Sequence, residues 1–138
     1  MSKTSIACIA LNGGKVLIAH RNPVGQMGGR WEFPGGKVEE GESHVETVQR
    51  EFKEEFGVDV NVGELIASSE FEHNLQTVNL YAYRIYVPHD GMKKKFILTE
   101  HSEYAWVSFE EIKDLNFVDS DLKIYPMVRD YAMRQGVE

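Results

Sequence analysis

Residues 36–58, GKVEEGESHVETVQREFKEEFGV, concentrate the groups able to do chemistry. They hold seven Glu against three Lys or Arg, so −4 of the chain's net charge of −7 falls here. Ser43 followed three residues later by Glu46 is a capping-box pattern, which predicts a helix start near residue 43, and Gly57 supplies a stop. At about 100° per residue on that helix, Val45, Val48, Phe52 and Phe56 share one arc, a core-facing stripe. Glu51, Glu54 and Glu55 fall on an adjoining arc, and Glu46, Arg50 and Lys53 take the more solvent-directed side. Like charges four residues apart cost a few tenths of a kcal/mol per pair, which Arg50 offsets in part by pairing with Glu54. A hard divalent cation offsets far more, because Mg²⁺ takes carboxylate oxygens and keeps waters and substrate phosphates as its other ligands. The plainer alternative is a solvated acidic face. Two features oppose it: the acidic arc borders the apolar stripe, and a Gly-rich loop precedes the helix.

The rest of the chain must hold this segment in place. Ser5 to Leu11 reads as a strand, Asn12-Gly13-Gly14 as a tight turn, and Lys15 to His20 as a second strand. Residues 22–30 read as a loop, and Pro34-Gly35-Gly36 breaks the chain after Trp31-Glu32-Phe33. Two β-rich stretches follow, Val58 to Phe71 and Thr77 to Val87, with a turn at 89–91 after the second. Tyr104 to Val107 is a further strand. Ser108 with Glu111 is a second capping box, opening a short helix to about Leu115. A last helix is expected within Asp121 to Gln135, with a boundary or kink at Pro126. Strands alternating with helices predict an α/β protein, a mixed sheet covered by helices.

Composition narrows the class. The chain has 138 residues, enough to bury a core without staples, and no repeat or linker divides it, so one domain over 1–138 is expected. An apolar fraction of 42% with 27% charged residues excludes a disordered chain. No apolar run approaches the roughly 20 residues that span a bilayer. The first residues pass straight into a β-like run without a signal-peptide pattern. Cys8 is alone, which excludes an internal disulfide and points to a reducing compartment, so a cytoplasmic location is expected. The acidic balance argues against a protein built to grip nucleic acid.

The spacing over 36–58 resembles the Nudix box, G-x5-E-x7-R-E-U-x-E-E-x-G-U with U a bulky apolar residue. Gly36, Glu42, Arg50, Glu51, Phe52, Glu54, Glu55, Gly57 and Val58 satisfy every fixed position. The order of elements and the lead-in Trp31-Glu32-Phe33-Pro34-Gly35-Gly36 resemble the MutT-like branch of that family. The resemblance implies an α/β/α sandwich around a mixed β-sheet and Mg²⁺-dependent hydrolysis, with Mn²⁺ as a substitute, of a nucleoside diphosphate linked to a group X. It also implies roles. Glu51, Glu54 and Glu55, with the backbone carbonyl of Gly36, are the metal ligands, while Glu42 and Arg50 hold the box in shape. Glu100 matches a later position that in some relatives serves as water-activating base and metal ligand; its alternative is an exposed loop acid. Arg21 matches a phosphate-contacting position, and Glu32 and Phe33 are substrate-side candidates in the lead-in. Trp31, Phe33 and Phe71 are available for stacking, although aromatic residues in strands are often simply core.

Asp121 matches the position that reads the base edge. As an ionised carboxylate it only accepts hydrogen bonds, which favours a base presenting an amino group and disfavours the oxidised-guanine reading. Its alternative is a helix N-cap. ADP-ribose and diadenosine polyphosphate hydrolases carry a proline or a tyrosine in the window downstream of the box, and residues 72–76, EHNLQ, contain neither. The expected activity is therefore (d)NTP hydrolysis to a nucleoside monophosphate and pyrophosphate. The partner is a small nucleotide, with no stable nucleic-acid complex, no membrane, and a monomer or homodimer. The alternatives are another nucleotide, such as an ADP-sugar or a capped end, and a sensor module without turnover.

Overall fold

In the strand β1 (Lys3–Asn12), every residue from Ile6 to Ala10 is buried. A strand with one wet face alternates, so an unbroken buried run requires cover on both faces of the sheet. The computed structural model, which describes residues 3–21, 29–88 and 101–135, supplies that cover. After β1 come β2 (Lys15–Arg21), β3 (Trp31–Glu32), β4 (Gly35–Lys37), α1 (His44–Phe56), β5 (Asn61–His73), β6 (Gln76–Tyr86), β7 (His101–Val107), α2 (Phe109–Ile112) and α3 (Asp119–Arg134). The strands run in the order β3-β2-β1-β6-β5, with β4 also on β1 and β7 on β2. Strand β1 lies parallel to β6 from Lys3↔Val78 to Ala10↔Ile85, and the other pairings are antiparallel. The mixed sheet expected from the sequence is present.

Alternate residues of β1 feed two cores. Ile6, Cys8 and Ala10 pack with Val48, Phe52 and Phe56 of α1 on one face. Ala7 and Ile9 pack with Phe109, Ile112, Ile124, Tyr125 and Val128 of α2 and α3 on the other. The result is an α/β/α sandwich. Cys8 is fully buried in the core, and burial pushes its thiol well above the usual range. Gly13 and Gly14 both take positive φ, as a two-residue turn between twisted strands requires. Among the described residues, no helix is long and apolar enough to cross a membrane.

Helix α1 is bounded as its sequence dictates. The Ser43 hydroxyl accepts a bond from the Glu46 amide, the Glu46 carboxylate accepts one from the Ser43 amide, and Gly57 closes the helix at φ 71°. One stripe residue is corrected: Val45 is 45% exposed, because it lies in the first turn, before the helix settles on the sheet. Helix α3 corrects two more expectations. It begins at Asp119 and runs on through Pro126 to Arg134. Pro126 is exposed, so the Leu122 carbonyl left without an amide partner there faces the solvent side, where water can satisfy it. The N-cap is Val118, so Asp121 is not the cap; it is a buried residue of the first turn. Helix α2 stops at Ile112, short of Leu115. Residues 22–28, the turn at 89–91 and Glu100 lie outside the described residues.

Candidate active site

The Glu51 carboxylate of α1 lies against β4 only because residue 36 is glycine. A Cβ on Gly36 would overlap the Glu51 carboxylate, and one on Gly35 would overlap the Ile6 carbonyl. The PGG run therefore lets β4 lie flat against β1 on one side and against an acidic side chain on the other. The pairs Ile6↔Gly36 and Ser5↔Lys37 fix that register.

Arg50 organises the acids. Its Nε and Nη2 donate to the two Glu42 oxygens at 2.6 and 3.0 Å, and Nη2 also reaches the Lys37 carbonyl at 3.1 Å. Its Nη1 donates to Glu51 at 2.9 Å and to Glu54 at 3.3 Å. Glu39 adds an ion pair to Nε at 3.1 Å. Placing Arg50 on the solvent-directed side is thus corrected: the loop before α1 wraps over it, which a helical projection does not contain. The Arg50 bonds, with a further one from Thr47, hold Glu42 down to about 2. Glu42 in return raises the guanidinium above its ordinary value. Glu51 is pushed up by burial and pulled back by Arg50. Thr47, unremarked in the sequence, is fully buried and bonds Glu42 at 2.7 Å and the Ser43 carbonyl at 3.0 Å.

A cavity of about 580 Å³ has Gly36, Glu51, Glu54 and Glu55 in its wall together with Arg21, Glu32, Phe33 and Asp121. Arg50 stands behind this wall. Among the described residues, no three His, Cys, Asp or Glu side chains converge as a ready-made metal cage. The donor set nonetheless suits a hard cation. Its members are oxygens, Gly36 leaves backbone open beside Glu51, and Glu55 is only 3% exposed, a costly place for a carboxylate that a nearby cation would offset. Mg²⁺ retains several waters, so it does not need a closed cage.

The far wall is assembled from distant pieces. The Phe33 amide donates to Oδ2 of Asp121 at 2.9 Å, linking the end of β3 to the first turn of α3. Asp121 is 6% exposed, and burial, reinforced by the nearby charge of Glu32, pushes its carboxyl up to about 8. The shift favours the protonated form, in which Oδ2 still takes the Phe33 amide and the carboxyl can donate as well as accept, whereas the ionised form only accepts. Arg21 donates to both Glu32 oxygens at 3.2 and 3.0 Å, which fixes its head at the rim. The Phe33 ring is buried edge-on against Phe117, with centroids 5.2 Å apart, so its amide is its polar contribution. Trp31 packs against the His20 ring at 4.9 Å and is not in the cavity wall, whereas Phe71 is. Ser5, Lys37, His73 and Ser120 also line the space; the sequence offered no motif for them.

Comparison with known proteins accords with this geometry. The family model described as NUDIX domain matches residues 1–128. The chain is 33% identical over 119 residues to the CTP pyrophosphohydrolase of Escherichia coli K12, covering 86% of this chain and 85% of that protein. It is 30% identical to an RNA pyrophosphohydrolase of Nitratiruptor, covering 97% and 95%. The solved MutT protein of Methanosarcina mazei superposes with a TM-score of 0.78 at 27% identity, covering 99% of this chain and 96% of that one.

Proposed function

This chain belongs to the NUDIX family and is a hydrolase of that family, and we propose that it is a nucleoside triphosphate pyrophosphohydrolase releasing a nucleoside monophosphate and pyrophosphate. The observation that carries this reading is a single cavity with acids on a rigid helix at one end and a buried hydrogen-bonding carboxyl at the other. That span suits a triphosphate and a base held together.

Glu51, Glu54 and Glu55, with the Gly36 carbonyl, would hold Mg²⁺, or Mn²⁺ in its place. When bound, the cation neutralises phosphate charge and activates water for attack on the anhydride. Glu42 and Arg50 position the acidic residues, since Arg50 donates to Glu51 and Glu54 while Glu42 grips its other edge. Arg21, steered by Glu32, offers donors to a phosphate oxygen. Glu100 is retained as a candidate base. Asp121 reads the base edge. Cytosine answers both of its protonation states, with an amino group for the ionised form and a ring nitrogen for the protonated one, and the likeness to a CTP pyrophosphohydrolase supports testing CTP first.

Pyrophosphate release from a panel of normal, oxidised and methylated nucleotides, with Mg²⁺ and with EDTA, tests the reading. The expected result is metal-dependent product, greatest for one base class. Binding without product would leave a sensor module instead.

A further inference from the structure

Beside the main cavity lies a smaller one of about 120 Å³, and it lacks the carboxylates of its neighbour. Its lining includes the cationic residues Lys3 and Lys37, His73, and the polar residues Ser5, Asn74 and Gln76, with no carboxylate among the described lining residues. Glu72 sits between two of these positions in sequence but points to the other face of the hairpin, where it accepts from Thr77 at 2.8 Å. In a chain of net charge −7, a recess with two lysines and no carboxylate is out of keeping with the average surface.

The fold builds it deliberately. Lys3 and Ser5 stand two apart on β1, so both point to one face, and Lys37 is paired with Ser5 across the β1–β4 ladder. The β5–β6 hairpin closes the recess with His73 opposite Gln76. Only Asn74 and Leu75 lie between them, both at positive φ, 50° and 63°. A leucine so held costs about 1–2 kcal/mol, and Leu75 gains no burial in return. What the short turn does achieve is to bring His73, Asn74 and Gln76 to the recess.

Ser5, Lys37 and His73 are shared by the two cavities, and Lys37 directly follows Gly36, which touches the acidic wall. Lysines bind phosphate as point charges, whereas planar carboxylate recognition calls for an arginine fork that is not in this wall. We propose that the recess is a second phosphate-binding subsite, taking a phosphate of the group X beyond those held at the acidic wall. This rests on the reading of the main cavity as a nucleotide site. It extends the substrate class to nucleotides whose phosphate chain is longer than a triphosphate's, such as nucleoside tetraphosphates.

Two measurements test it. Inorganic phosphate is titrated into the metal-free protein while the His73 ring signals are followed by NMR. A saturable shift, weakened about tenfold by Lys3→Glu and restored by Lys3→Arg, is expected. Separately, the kcat/KM ratio for a nucleoside tetraphosphate over the matching triphosphate is compared in the same variants, and Lys3→Glu is expected to lower it about tenfold. If both change, the subsite serves the substrate's own chain; if only the phosphate titration changes, it holds the free anion and the assignment to the substrate's chain is overturned. An unresponsive His73 together with an unchanged ratio overturns the proposal. Should no nucleotide be hydrolysed at all, the nucleotide reading fails, while the titration still decides whether phosphate occupies the recess.

Discussion

The two ends of the main cavity are built by different means. The acidic end comes from one stretch, residues 36–57, in which a glycine pair, a capped helix and an arginine fork lie within a few turns of one another. The opposite end joins Phe33 to Asp121, 88 positions apart, through one hydrogen bond that exists only once α3 has docked on the sheet. Local construction ties the acidic end to helix formation and to a counter-ion held nearby. The long-range end depends on burial, and burial changes the chemistry of the group it encloses. A carboxyl that the sequence presents as an acceptor is shifted by burial toward its protonated form, which can also donate.

The largest effect that separates the ends is expected at the acids. Glu54→Gln keeps the shape and removes the charge, so turnover should fall about 10³-fold with an unchanged far-UV CD spectrum, and EDTA should do the same to the unmodified protein. Near-normal turnover in that variant would strike Glu54 from the ligand set. Arg50→Met should follow, losing about 10- to 100-fold in turnover together with a measurable loss of stability, since it leaves Glu42, Glu51 and Glu54 facing one another. Urea unfolding beside steady-state assays measures both. A loss of activity with full stability would mean that Arg50 acts on substrate rather than on its neighbours.

At the other end the expected signature is in pH. Asp121 titrates near 8 in the folded protein and near 4 when unfolded, so between those values the native state holds the extra proton and stability falls as pH rises. From pH 6 to pH 8 this group alone should remove about 2 kcal/mol, a decline that Asp121→Asn abolishes. Parallel curves for the two proteins in urea titrations would detach Asp121 from that behaviour. The same substitution should reorder base preference more than it changes overall rate. The smallest effect expected is Leu75→Gly, which relieves the positive φ and should stabilise the fold by about 1 kcal/mol, read as a raised Tm.

The capping boxes at Ser43 and Ser108, the glycine stop at Gly57 and the Asn-Gly-Gly turn were legible because each is a contact between residues a few positions apart. Legibility failed where a side chain's surroundings come from elsewhere. Arg50 projects outward on a helical wheel, yet the loop of Glu39 and Glu42 folds over it. Pro126 breaks an ideal helix, yet α3 tolerates it on an exposed face. Lys3, Lys37 and His73 carry no motif because they belong to three strands that meet only in the sheet.

By itself, then, the order of residues determined which stretch carries the acids, where its helix begins and ends, and the family to which the chain belongs, because periodicity, capping and motif spacing are short-range properties of a chain. Tertiary structure alone decided that Asp121 is buried against the Phe33 amide, that Arg50 is enclosed, and that a recess with two lysines and no carboxylate adjoins the acidic wall. Desolvation and electrostatic fields depend on distances through space, and those distances are set only when the strands and helices pack.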